Sequence, residues 1–251
     1  MAASYSGLHA RYRLQATWTA AIRRRLLADL PSDPAGRILE VGSGTGVITS
    51  ELSDQYSGKT YGVDIDPAAA AFSASYDVRS RFAVADGGAL PFPDGGVDAC
   101  VCHFLLLWVP DPAGLLREMV RVTRSNGHVI AMAEPDYCAR IDYPEGLVEL
   151  GTTQAEALRG RGADPSIGRK LRALLNAAGL TRVVAGVLGG EWSTAEDPET
   201  TESEWQVLEN DLSELFEPDR LAVCREMDQR SRVAGERILF VPTFFASGRV
   251  A

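Results

Sequence analysis

The chain has 251 residues, 45% of them hydrophobic, which is enough for one α/β domain with insertions and a full core. Its net charge of −9 argues against a partner gripped through a phosphate backbone. No apolar run approaches the roughly 20 residues of a membrane span, and the start of the chain shows no apolar signal-like segment, so a cytoplasmic protein is expected. The four cysteines fit a reduced setting, because Cys100 and Cys102 share one face of a strand with no metal-ligand spacing around them. Of 25 basic residues only Lys59 and Lys170 are lysine, a composition expected of a GC-rich bacterium.

In chain order, residues 8–29 predict one helix, with Leu14, Trp18, Ala21, Ile22, Arg25 and Leu26 forming its stripe. Tyr12 and Trp18 are candidates to line an acceptor pocket; the competing use is Trp18 in the core with Tyr12 at its edge. Ile38-Leu39-Glu40-Val41 reads as a buried parallel strand, and Gly42-Ser43-Gly44-Thr45-Gly46 as a tight turn into a helix carrying Val47, Ile48 and Leu52. Glycines there let backbone approach a ligand closely. The spacing is G-x-G-x-G, and Val47 stands where a dinucleotide fingerprint has its third glycine. Glu40 at the strand end repels phosphate and suits an ammonium group. A second strand ends at Asp64, 18 residues after Gly46, where an acid takes ribose hydroxyls and Ile65 lies beside a base. Asp66 and Pro67 predict an N-cap and first turn. Asp86-Gly87-Gly88-Ala89-Leu90-Pro91-Phe92 precedes a strand from Val97 to Cys102, followed by His103.

These segments resemble the class I S-adenosylmethionine-dependent methyltransferases, specifically the branch of the ubiquinone and menaquinone biosynthesis enzymes. The resemblance covers about residues 36–134, including Leu116–Val122 and Asn126–Ile130. It implies a seven-stranded, doubly wound, Rossmann-like α/β sheet with an antiparallel last strand and helical insertions. It implies S-adenosyl-L-methionine as cofactor, S-adenosyl-L-homocysteine as product, and binding by Glu40, Gly42, Ser43, Gly44, Gly46, Asp64, Ile65, Asp86, Gly87 and His103. His103 is the candidate general base, with pocket lining as its other role; many relatives carry a histidine a few residues further on, where this chain has Leu107. Glu134, at the end of the fifth strand, and Tyr137 are candidate acceptor residues; a strand-end acid bonded to backbone or Arg140 is the alternative.

Helices are expected over 144–160 and from Asp164 to the cap at Gly179, and strands over 181–188 and 236–245. About 45 residues separate those strands, too many for a hairpin, so 191–235 is expected to be a helical lid. The division is a cap at 1–35, a cofactor domain at 36–190 and 236–251, and the lid. Eleven acids and no Lys or Arg lie between Glu191 and Asp219, either a field for cationic acceptors or a solvated surface. Trp192 and Trp205 are candidates to face the acceptor or to pack in the core. The expected activity is methyl transfer to a small molecule by direct displacement, without nucleic acid or a membrane span; the acceptor and the oligomeric state are open. The other classes are a cofactor sensor without turnover and a nicotinamide-dependent oxidoreductase.

Overall fold

The computed structural model describes residues 4–28, 30, 35–56, 58–190 and 198–251. Seven strands form one sheet in the order β3-β2-β1-β4-β5-β9-β7: β1 (Arg37–Val41), β2 (Lys59–Asp64), β3 (Arg81–Val84), β4 (Val97–Cys102), β5 (Thr123–Pro135), β7 (Thr181–Val187) and β9 (Thr243–Arg249). The first five pair in parallel, and β9 runs antiparallel between β5 and β7. Order reverses between β1 and β4, so their carboxyl ends open a crevice, the usual ligand position in such sheets.

Side-chain alternation builds two cores. Leu39, Val41, Cys100 and Cys102 face α5 (Pro112–Val122) and α7 (Leu171–Ala177), whereas Ile38, Ala99 and Val101 face α2 (Ala20–Leu27) and α3 (Val47–Gln55). Cys100 and Cys102 are buried and free, as their spacing predicted. Pro67 opens α4 (Pro67–Tyr76) behind the Asp66 cap, which accepts from Ala68 N–H. Asn126 takes a left-handed turn conformation at φ 61°.

Two expectations change. The helix over 8–29 is two helices, α1 (Tyr5–Trp18) and α2, broken at Thr19. Its buried side chains are His9, Ala16, Thr19, Ile22, Arg23 and Leu26, so of the expected stripe only Ile22 and Leu26 are buried, and Arg23 turns inward, where its Nη2 meets Glu51 Oε2 of α3 at 2.5 Å. The strand over 236–245 is split: β8 (Ile238–Phe240) pairs with β6 (Ile141–Tyr143) in a separate ribbon, and β9 alone enters the main sheet.

Between β7 and β8 lie α8 (Pro198–Leu212) and α9 (Pro218–Val233), which bury Trp205, Leu208, Leu212 and Cys224 against Leu147 and Leu150, beside α6 (Val148–Gly160). Trp205 belongs to this core, and its indole N–H donates to Asp228 Oδ2 at 2.8 Å. Trp192 and the start of the expected lid fall outside the described residues. The acids of α8 are largely ion-paired: Glu202 and Glu209 meet Arg225, Glu204 meets Arg232, and Asp211 meets Arg161.

A buried charge cluster fastens α9 to the ribbon. Arg237 reaches Asp228 Oδ1 at 2.5 Å and Asp142 Oδ1 at 2.7 Å, and Arg140 meets Asp142 Oδ2 at 2.7 Å, all with 2–3% side-chain exposure. Removing one member strands the others' charge away from water. Arg237→Met is therefore expected to cost about 3–5 kcal/mol in urea denaturation; a loss below about 1 kcal/mol would mean that the cluster is wetter or less coupled than its geometry indicates.

Candidate active site

The turn after β1 is built on left-handed glycines: φ is 73° at Gly42, 51° at Gly44 and 79° at Gly46. A Cβ on Gly42 would stand 2.6 Å from Leu105 Cδ1, so the turn is also packed too closely for a side chain. The Val63 carbonyl accepts both Gly42 N–H at 2.8 Å and Ser43 N–H at 3.0 Å, which folds the turn back over β2. Asp64 Oδ2 accepts Gly44 N–H at 2.7 Å and Oδ1 accepts Asp66 N–H at 2.9 Å, fixing the acid at the crevice edge. Ser43 Oγ is buried with no partner among the described residues.

Two cavities meet at this turn. One, of about 660 Å³, runs past Asp64, Ile65, Asp86, Gly87 and Gly88 to Asp111 and Leu115. The other, of about 410 Å³, is lined by Glu40, Ser43, Gly44, His103 and Tyr137 and by Tyr12 and Trp18 of α1. Gly42, Asp64, Leu105 and Trp108 border both. Ile65 is 71% exposed, an open platform at the first cavity. Asp86 Oδ1 accepts Gly88 N–H at 2.8 Å. Its loop is held from α5, where Glu118 Oε2 accepts Leu90 N–H and Arg121 donates to the Leu90 and Phe92 carbonyls.

Helix α1 lies against the glycine turn. Tyr5 donates to Asp66 Oδ2 at 2.6 Å, His9 Nδ1 contacts Thr45 Oγ1 at 3.1 Å, and the Tyr12 ring is 3.3 Å from where a Cβ on Gly44 would be. Trp18 is 44% exposed and lines the cavity, so its packing in the core is not realised.

Glu40 is 2% exposed and accepts a short hydrogen bond from Thr49 Oγ1; burial pushes its carboxyl up to about 8. His103 Nε2 lies 2.8 Å from Thr19 Oγ1, which also accepts from Arg23. Burial, with the Arg23 charge adding to it, pushes the imidazole down to about 3, so it is neutral at physiological pH. Burial pushes the Tyr137 phenol up to about 12.

Glu134 corrects the acceptor-site expectation. It is fully buried and lines neither cavity; its carboxylate accepts the backbone N–H groups of Leu105, Leu106 and Leu107. Arg140 pairs instead with Asp142.

Sequence reasoning missed the cavity wall formed by Phe104, Leu105, Leu107 and Trp108, and that formed by Arg161 with Val207, Asn210 and Asp211. The last three are spaced i, i+3, i+4 on α8, so a helical-face reading of the lid was the available signal. Among the described residues no group of three or more His, Cys, Asp or Glu could hold a metal, and no helix is long and apolar enough to cross a membrane.

Residues 39–131 match the methyltransferase domain family. Among curated relatives, an uncharacterized methyltransferase of Mycobacterium sp. (strain KMS) is 40% identical over 96 residues, 38% of this chain and 37% of that protein. One of Mycobacterium leprae (strain TN) is 40% identical over 124 residues, 47% of this chain and 45% of that protein. The chain thus spans less than half the length of the curated relatives it matches. The domain's fold recurs in a methyltransferase in complex with the Haloferax volcanii Trm112 activator, with TM-score 0.61, 18% identity and coverage of 100% of this chain and 99% of that one. It recurs in geranyl diphosphate C-methyltransferase from Streptomyces coelicolor A3(2), with TM-score 0.56, 16% identity and coverage of 92% and 79%. At these identities the likeness is one of fold.

The His103 environment has a pH consequence. Its proton affinity is lowered in the folded state, so below about 6.5 the unfolded chain takes up a proton that the folded chain refuses. This contribution to stability is present above pH 6.5 and is lost as pH falls toward 3. His103→Asn is expected to lose less stability than the parent between pH 7 and pH 5 in urea melts; equal losses in both would mean that His103 titrates freely.

Proposed function

We propose that the chain transfers a methyl group from S-adenosylmethionine to a small-molecule acceptor, releasing S-adenosylhomocysteine. The observation that carries this reading is the pair of cavities joined at Gly42, Asp64, Leu105 and Trp108, one along the Asp86 loop and one beneath α1 and α8. The bound cofactor supplies a methyl group on a sulfonium, open to direct displacement. The residues present fit it: the glycine turn leaves room for a ligand but none for a Cβ, Ser43 Oγ is buried without a partner, and Glu40 offers a carboxylate to an ammonium. Asp64 would take ribose hydroxyls, Asp86 and Gly87 the adenine edge, and Ile65 its face.

The chain's own part is alignment and exclusion of water. In this reading residues 1–35 are a cap and 191–235 a lid over the domain formed by 36–190 and 236–251. Tyr12 and Trp18 close the cavity from the cap, and Val207 and Asn210 from the lid. His103 lines the cavity and ties β4 to the cap through Thr19, a role we favour over that of base, because a neutral imidazole with so low a proton affinity is a weak one. With the Tyr137 phenol also held protonated, the reading requires an acceptor that brings its own nucleophile. The net charge of −9 supports a small molecule over a nucleic acid.

Two measurements test this reading. Glu40 is protonated at pH 7 in the free chain, and an ammonium beside it draws that proton off. Calorimetry in buffers of different ionisation heat is expected to show proton release on cofactor binding and tighter binding from pH 6 to 8. Glu40→Gln should abolish the release and weaken affinity by about tenfold; parent binding without proton release would remove Glu40 from the ammonium site. Second, S-adenosylhomocysteine release is expected with a pool of cellular small molecules. Val207→Trp, which fills the second cavity alone, should suppress release by about tenfold or more while cofactor affinity stays within about threefold. Cofactor binding with no release from any pool would favour a sensor.

A further inference from the structure

The Glu134 carboxylate is used on backbone alone. Oε1 accepts Leu105 N–H at 2.9 Å and Leu106 N–H at 3.0 Å, and Oε2 accepts Leu107 N–H at 3.3 Å. Those amides open the 3-10 turn Leu106–Trp108, and Trp108 N–H closes on the Leu105 carbonyl at 2.9 Å. The segment is the bridge between the cavities, for Leu105 and Trp108 border both and Leu105 presses on Gly42.

The bridge does not sit in a relaxed conformation. Phe104, which leads into it, has φ 51°, a left-handed value that a bulky side chain adopts only when its surroundings over-determine it. Its N–H is held by the Ala133 carbonyl at 2.9 Å, one residue before Glu134. The pairing of β5 with β9 shifts register between Ala131 and Glu134, an irregularity of the kind that re-aims a strand side chain. Burial pushes the Glu134 carboxyl up to about 7 even though three amides favour its charged form, so the carboxyl group is held here at a desolvation cost.

We propose that Glu134 is a positioning residue: by gathering the amides of Leu105, Leu106 and Leu107 it holds the strained bridge in its shape between the two cavities, without touching a ligand. The inference rests on the methyltransferase reading for its ligands, but not for its geometry. Glu134 sets how close the Leu105–Trp108 wall stands to the glycine turn, and therefore where an acceptor meets the methyl group.

The test uses Glu134→Gln and Glu134→Leu in the full chain. Glutamine keeps an oxygen able to accept from Leu105 and Leu106 and loses the Leu107 bond. Leucine keeps the volume and loses all three. Hydrogen exchange without ligand is expected to show the amides of Leu105–Leu107 protected in the parent, partly protected in the glutamine variant and fast in the leucine variant, with protection of β1 and β4 retained. S-adenosylhomocysteine affinity, by calorimetry, should fall by about threefold for glutamine and about tenfold or more for leucine. Protection of these amides unchanged in Glu134→Leu overturns the proposal, as does parental affinity in that variant, or equal loss in both variants, which would point to charge and not to the three bonds. If Glu134→Leu fails to fold, the graded exchange and affinity of Glu134→Gln decide, and parental values there overturn it. A parent that binds no S-adenosylhomocysteine defeats the methyltransferase reading, and the exchange arm still judges the bridge.

Discussion

Bare backbone at the end of β1 is the constraint on which the rest of the site depends. Gly42 and Gly44 turn the chain through left-handed conformations, and Val63 takes two successive N–H groups from Gly42 and Ser43, so the turn is pinned to β2. Leu105 occupies the space a Cβ at Gly42 would need, and the Tyr12 ring approaches that at Gly44. The distance between turn, bridge and α1 is thus set by the missing side chains.

Buried charge is spent on holding elements in place. Arg23 joins α2 to α3 and, through Thr19, to His103 at the end of β4. Arg237, Asp228 and Asp142 tie α9 to the β6–β8 ribbon. A lone buried charge costs several kcal/mol, roughly, so each of these contacts is specific in a way that apolar packing is not. The groups near the crevice differ: Glu40 and Asp64 line cavities and retain capacity for a ligand, whereas Glu134 is consumed by the bridge.

Much of this was legible one residue at a time. Apolar runs and glycine spacing located β1, β2 and β4 and the turn, because strand burial and left-handed backbone are local demands that composition meets directly. The acids Glu40, Asp64 and Asp86 were legible for the same reason: each lies at or just past the carboxyl end of a strand, and those ends face the ligand side of such a sheet. The break at Thr19 was not legible, since it depends on a buried arginine whose partner is 28 residues away. The division of 236–245 was not legible either, since one continuous strand pattern serves two sheets and only pairing with β6 separates them.

By itself, the sequence determined the layered α/β class, the glycine turn and the acids that flank it, because period, spacing and backbone freedom are properties of short segments. Only the tertiary structure decided what each titratable group does. Trp18 faces a cavity because the chain bends at Thr19, between α1 and α2. Val207, Asn210 and Asp211 reach the same cavity because the apolar cluster around Trp205 fixes which face of α8 turns inward. Glu134 and His103 lie at strand ends that look alike in sequence, yet one gathers three amides and the other meets Thr19, between α1 and α2. Hydrogen-bond partners 27–29 or 84 residues distant choose between those fates, and no local pattern carries that information.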